Sequence, residues 1–234
     1  MLRDLKGIFY YLLIDYRFSF LVFWSILTAT LVGFTLLSIL VPDSSMIVFT
    51  SPIVFVFCVI SGLNMTKETF PFCVKMGTTR TRYLFGTFAF SLFFSLVLSM
   101  VHLGIVRGFR AVLDAEKISS IRHYSLMDML DVQAAWYNEI WVLGLLFFLF
   151  ISIGFLLGSV FYRYGLIGGF SGVAVFGVLM MLPVTKDYLF SEVFRLQGMT
   201  LHVDFFLLLV AALLTFVPSW MVLRKASTTA ARAR

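Results

Sequence analysis

From Phe18 to Val41 the chain runs without a single charged residue, and five more apolar stretches of comparable reach follow. A helix rises about 1.5 Å per residue, so roughly 20 apolar residues cross the hydrocarbon core of a bilayer. The stretches are 18–41, 46–65, 83–106, 140–162, 164–183 and 205–223. Lipid cannot hydrogen-bond an exposed backbone, so a spanning element must be a helix or part of a closed barrel. Unbroken rather than alternating apolar runs select helices. The expected fold is all-α, a polytopic membrane protein of six transmembrane helices. Composition agrees, since 61% hydrophobic residues, 13% charged residues and 28 Phe in 234 lie far outside soluble norms. The first run is too long for a signal-peptide core, and no small-x-small cleavage pattern follows it before Pro42, so it is expected to remain as the first helix.

Orientation follows the distribution of Lys and Arg between loops. With the N-terminus inside, Arg3, Lys6, Arg17, Lys67, Lys75, Arg80, Arg82, Arg163, Arg224, Lys225, Arg232 and Arg234 face the cytoplasm, and the other six of the 18 cations lie outside. Both termini are therefore expected in the cytoplasm of a cell-membrane protein. The net charge of +6 is read as attraction to anionic lipid headgroups and needs no nucleic acid. Cys58 falls within a span and Cys73 in an inner loop, so both read as small apolar residues rather than a disulfide or metal pair.

Outside the spans, residues 1–17 place Leu2, Leu5, Phe9 and Leu12 or Leu13 on one stripe, which predicts an interfacial elbow helix. It is either a plain anchor or a cradle for a cytoplasmic partner. The outer loop 107–139 contains Ser125 and Asp128 at capping-box spacing, followed by Trp136, Tyr137 and Trp141 as an interfacial aromatic belt. The outer loop 184–204 contains YLFSEVFRLQG, read as a short amphipathic helix ending at Gly198. Residues 224–234 form a basic tail. Gly154 and Gly158 make a GxxxG step, and Gly165, Gly168, Gly169, Gly172 and Gly177 crowd the fifth span, which predicts close helix packing. No internal repeat is evident.

Chemistry at membrane depth requires ionisable or metal-binding groups, and the spans offer almost none. His102 stands alone in the third span and reads as hydrogen-bonded structure, whereas His123 and His202 lie in separate outer loops without metal-site spacing. No GxSxG, HExxH, paired-acid or GxxxxGK[ST] motif is present. The chain reads as a non-catalytic subunit with no cofactor of its own. Uphill work would draw its energy from another polypeptide, docked on the one sizeable inner loop.

That loop is 66–82. Thr69 and Pro71 suit a helix start, Phe70, Phe72, Cys73 and Met76 supply apolar contacts, and Gly77 suits the stop. Thr78 or Thr79 then caps the third span. Arg80 and Arg82 fall in its first turn, where the helix dipole disfavours cations, so something must hold them. Phospholipid headgroups or acidic groups on a docked partner would serve.

With these residues in view, the chain resembles the permease subunits of type-2 ATP-binding-cassette (ABC) exporters of the small Gram-positive bacterial kind. The resemblance rests on KETFPFCVKMGTTRTRYLFGT, with Gly-x-x-Arg-x-x-Tyr-x-x-Gly from Gly77 to Gly86, and on the hydropathy layout of the whole chain. It implies that the inner segment is a coupling helix inserted into a separate ATPase subunit that binds ATP and Mg, with Glu68 matching a recurrent acid near the helix start. It also implies a working unit of two ATPases and two permeases, the second permease being the same or a homologous chain. Glu68, Phe70, Phe72, Lys75, Met76, Arg80 and Arg82 would form the ATPase contact, and the substrate would be a hydrophobic or amphipathic peptide, antimicrobial or lipid. The family places re-entrant outer helices between the fifth and sixth spans, whereas the longer outer loop here follows the third. Two rival readings remain open: a membrane-embedded immunity, sensor or regulatory subunit, and an intramembrane enzyme should Asp128 and His123 meet in the fold.

Overall fold

The computed structural model describes residues 2–41, 46–115, 121–124, 136–183, 194–197, 200–203 and 205–224. Helix α1 (Leu2–Leu40) leads through strand β1 (Met46–Val48) to α2 (Ser51–Asn64), a π-helical turn (Met65–Thr69) and α3 (Phe70–Lys75). Then come α4 (Arg80–Ala115), β2 (Ile121–His123), α5 (Trp136–Met181), the strands β3 (Phe194–Gln197) and β4 (Thr200–Val203), and α6 (Phe205–Arg224). Among the described residues, four helical stretches are long and apolar enough to cross a membrane, namely Leu5–Leu40, Ser51–Lys75, Arg80–Ala115 and Trp136–Ala174; the apolar part of α6, Leu208–Arg224, is shorter.

The helices run back and forth between two ends. One end, the basic end, gathers Lys67, Lys75, Arg80, Arg82, Arg163 and Arg224. The far end carries Arg107, Glu139 and the exposed Trp136, Tyr137 and Trp141. There, Arg107 Nη2 pairs with Glu139 Oε2 at 3.3 Å and ties the end of α4 to the start of α5.

Residues 2–17 do not form a separate element. α1 is one helix of 39 residues with no break at Arg17, roughly 58 Å long by its rise per residue. Its buried positions Ile8, Leu12, Tyr16, Trp24, Leu27 and Leu31 make a single stripe spanning both parts. The expected elbow is thus continuous with the first span. The physical reason is that no proline or paired glycine interrupts the ladder and the same stripe packs on α4 throughout. At Gly86 the two helices come close enough that an added Cβ would lie 2.8 Å from Ile8 Cγ2.

Between helices in lipid there is little hydrophobic gain on association, so close packing and aromatic geometry must do more. The phenylalanines supply it. Phe9 meets Phe90 edge-on at 5.5 Å, Phe23 stacks on Phe57 at 4.1 Å, Phe55 stacks on Phe150 at 4.4 Å, and Phe155 stacks on Phe216 at 5.3 Å. Pairs of this kind contribute about 0.5–1.5 kcal/mol each beyond area.

α2 and α5 approach backbone to backbone. A Cβ at Gly154 would lie 2.2 Å from the Val59 carbonyl oxygen, one at Gly62 would lie 2.2 Å from that of Ile151, and one at Gly158 would lie 2.9 Å from that of Leu63. Only glycine fits such a crossing.

α5 contains both the fourth and fifth expected runs, divided at Gly165, whose φ of 71° and ψ of −168° are non-helical. The chain reverses there. Phe161 and Phe170 meet edge-on at 5.6 Å, and a Cβ on Gly172 would lie 3.1 Å from Val160 Cγ1, although 12 residues of unbroken helix would separate those positions by about 18 Å. Gly168 and Gly169 lie against Tyr164 and Phe161, so the small residues let the returning limb 166–181 close on the limb before it.

Two small sheets depart from the all-α expectation. β1 pairs in parallel with β2, Met46 opposite Ile121, and with Leu31, Phe109 and Leu113 this bridge covers the far end of α1 and α4. β3 and β4 form an antiparallel hairpin with Phe194 opposite Val203 and Leu196 opposite Leu201. The part of YLFSEVFRLQG within the described residues is therefore a strand and not the expected amphipathic helix. Its reason is a period of two on both sides of Gly198-Met199, which in register brings apolar residues opposite apolar ones. Ser125 and Asp128 of the capping box, residues 184–193, Gly198 and the tail from Lys225 lie outside the described residues.

Candidate docking surface at the basic end

The loop 66–82 is mostly helix. Pro71 has no N–H to give the Lys67 carbonyl, and in a regular helix its ring would press on that carbonyl. The turn before it widens instead, and the Phe70 N–H bonds to the Met65 carbonyl, five residues back. α2, the π turn and α3 thus form one continuous helical rod to Lys75.

Neighbouring side chains complete the widened stretch. Tyr16 Oη donates to the Ser61 carbonyl at 2.6 Å, and Tyr83 Oη donates to the Met65 carbonyl. Thr66 Oγ1 donates to the Phe155 carbonyl at 3.2 Å, and Thr69 Oγ1 donates to Asp15 Oδ2 at 3.2 Å. The rod is therefore held by α1, α4 and α5 together. Phe70 locks it further, edge-on to Tyr83 at 5.3 Å and to Tyr162 at 5.4 Å.

α3 ends as its glycine predicts. The Thr78 N–H bonds to the Cys73 carbonyl and the Gly77 N–H to that of Val74, both at 3.0 Å, with Gly77 at φ 89°, which is the Schellman arrangement. Thr79 then caps α4, its Oγ1 accepting the Arg82 N–H at 3.4 Å.

The seven residues expected to make a partner contact are divided by this geometry. Glu68, Lys75 and Arg82 are exposed, Met76 is 73% exposed, and Phe72 is 43% exposed while stacking on Tyr11 at 4.7 Å. Phe72, Met76 and Arg82 share the rim of a cavity of about 400 Å³ with Gly7 and Tyr11. Phe70 is 1% exposed, so its expected role as a surface anchor is corrected: it is core. Arg80 is likewise engaged within the chain. Its Nη1 donates to the carbonyls of Leu223, at 3.4 Å, and Arg224, while Arg163 Nη1 donates to that of Val222 at 3.4 Å.

The tension between Arg80 and the start of its own helix is thus resolved by the end of another. The last turn of a helix exposes carbonyls and carries negative potential, and two guanidinium groups fill that need at α6. Arg80→Ala is expected to destabilise the fold by about 1–2 kcal/mol. Combining it with Arg163→Ala should deviate from additivity, because both act on one turn. Thermal unfolding of the purified variants in detergent measures both.

Sequence reading also missed a polar seam on α4. Thr87, Ser91, Ser95 and Ser99 recur every four residues, lead to His102, and are all buried. The spacing itself was the available signal. Ser95 and Ser99 hydroxyls donate to the carbonyls of Leu92 and Leu96 at 2.9 and 2.8 Å, and His102 Nε2 lies 3.1 Å from Thr50 Oγ1. The contact with Thr50 makes His102 hydrogen-bonded, as expected of it. Among the described residues no group of three or more His, Cys, Asp or Glu could hold a metal ion.

No protein-family model, curated protein or solved structure matches this chain.

Proposed function

We propose that the chain is the six-span permease subunit of an ABC exporter in the cell membrane, its basic end and both termini in the cytoplasm. A separate ATPase binds and hydrolyses ATP, and a second permease, the same or a homologous chain, completes the path for a hydrophobic or amphipathic substrate. The observation that carries this reading is the rod ending at Lys75. It is bonded to three other helices, so force applied at its tip moves the bundle rather than bending a loop. The tip presents Phe72 and Met76 as exposed apolar anchors, and Glu68, Lys75 and Arg82 are exposed charges of the same segment, a composition that suits a protein–protein contact. A coupling device needs different contacts in two states of its partner, and a stiff lever supplies them.

The test is purification of the tagged chain from its own membranes in mild detergent. A nucleotide-hydrolysing subunit is expected to copurify, and the double substitution Phe72→Ala with Met76→Ala is expected to lower its yield about tenfold or more while the permease stays monodisperse. An assembly free of any such subunit would sink the proposal. So would labelling of a Met76→Cys variant by a membrane-impermeant thiol reagent from outside intact cells.

A further inference from the structure

Two apolar grooves of nearly equal size, about 570 and 550 Å³, flank one ridge on α4. Phe85 and Phe88 are the ridge and line both. One groove lies toward α6 and is closed by Phe216 and Trp220; the other lies toward α1 and is closed by Phe9 and Leu13. Each runs along about two turns of helix, roughly 10–12 Å.

Each groove has a cation at its basic-end mouth. Lys6 lines the α1-side groove directly. On the α6 side the Arg224 guanidinium lies 5.3 Å over the ring of Trp220, itself a groove wall. Between the two mouths the first turn of α4 carries Thr81, which lines the α6-side groove. Two apolar channels that share one ridge, with a cation beside each, match a molecule with two hydrocarbon tails and one negative head.

We propose that this face of α4 is a binding site for a single anionic diacyl glycerophospholipid. One acyl chain lies in each groove, the chains straddle Phe85 and Phe88, and the headgroup phosphate sits between Lys6 and Arg224. Burial of methylene groups alone would not discriminate this site from bulk lipid, so selectivity comes from the two cations, each favouring negative charge near a membrane surface. The inference uses the membrane embedding and the basic end and does not depend on the transport reading.

The test compares lipid retained by the purified full chain in native mass spectrometry after exchange into mixed micelles. Phosphatidylglycerol or phosphatidylcholine with identical acyl chains serves as the probe. Wild type is expected to retain one phosphatidylglycerol about tenfold in preference to phosphatidylcholine. Ala89→Trp and Leu213→Trp, each filling one groove from an exposed position, should each lower that retention about tenfold. The pair Lys6→Glu with Arg224→Glu should reduce the headgroup preference to less than about twofold while leaving phosphatidylcholine retention unchanged. Equal retention of the two lipids by wild type would overturn the proposal. Retention untouched by either tryptophan would overturn it too, as would a lipid-free dimer that shields Phe85 and so shows a second copy in the grooves. A photoreactive phenylalanine analogue at position 85 gives an independent reading, since it should crosslink to phosphatidylglycerol and not to another chain.

Discussion

Gly154→Ala should cost about 3 kcal/mol or more and leave little monodisperse protein, because the new methyl would lie 2.2 Å from a backbone carbonyl oxygen that has nowhere to move. A flexible side chain could turn aside, but the Val59 carbonyl is fixed in the hydrogen-bond ladder of α2. Relief requires α2 and α5 to separate along the crossing that Gly62 and Gly158 share. Gly62→Ala should behave alike, since its Cβ would meet the Ile151 carbonyl oxygen at the same distance. Gly104→Ala is the control: nothing lies within 4 Å of its would-be Cβ, so it should be neutral or stabilising by up to about 1 kcal/mol. Thermal unfolding and size-exclusion profiles of the three variants check this, and a well-behaved Gly154→Ala would refute the close crossing.

Phe70→Ala and Phe72→Ala, two residues apart, are expected to fail in opposite ways. Phe70 fills the space between Tyr83 and Tyr162, and its removal leaves a cavity beside the π turn at a cost of about 3–5 kcal/mol. Phe72 is half out of the protein and loses only its stacking on Tyr11, which should cost no more than about 1.5 kcal/mol. Phe72→Ala should therefore unfold near the wild-type temperature and, on the proposed function, lose the copurifying ATPase, whereas Phe70→Ala should lose stability first. If the two variants unfold at the same temperature, the assignment of one to the core and the other to the surface is wrong.

What could be read from the chain was what depends on near neighbours. The end of α3 at Gly77 and the cap of α4 at Thr79 follow from residues within five positions, and the break between the fourth and fifth runs falls at Gly165, inside the 164–183 run. The place of Arg80 in a first helical turn signals that it needs a partner, but that partner is a carbonyl 143 residues along the chain, and no local pattern points to it. Phe70 and Phe72 carry the same side chain, and only the placement of Tyr83, Tyr162 and Tyr11 by three other helices separates their roles. The β3–β4 hairpin is ambiguous in sequence because its few residues satisfy an amphipathic-helix pattern as well as alternation. Pro71 reads in sequence as the start of a helix, whereas the rod passes through it after a widened turn.

The pairing of Arg80 and Arg163 with α6 also implies an order of assembly. At a synthesis rate of roughly 5–20 residues per second, Leu223 is made about 7–30 s after Arg80, so for that interval the acceptors of the guanidinium are not yet built. Arrival of the last helix then acts as a latch, and a nascent chain stalled before Val222 should remain open to capture by quality-control proteases.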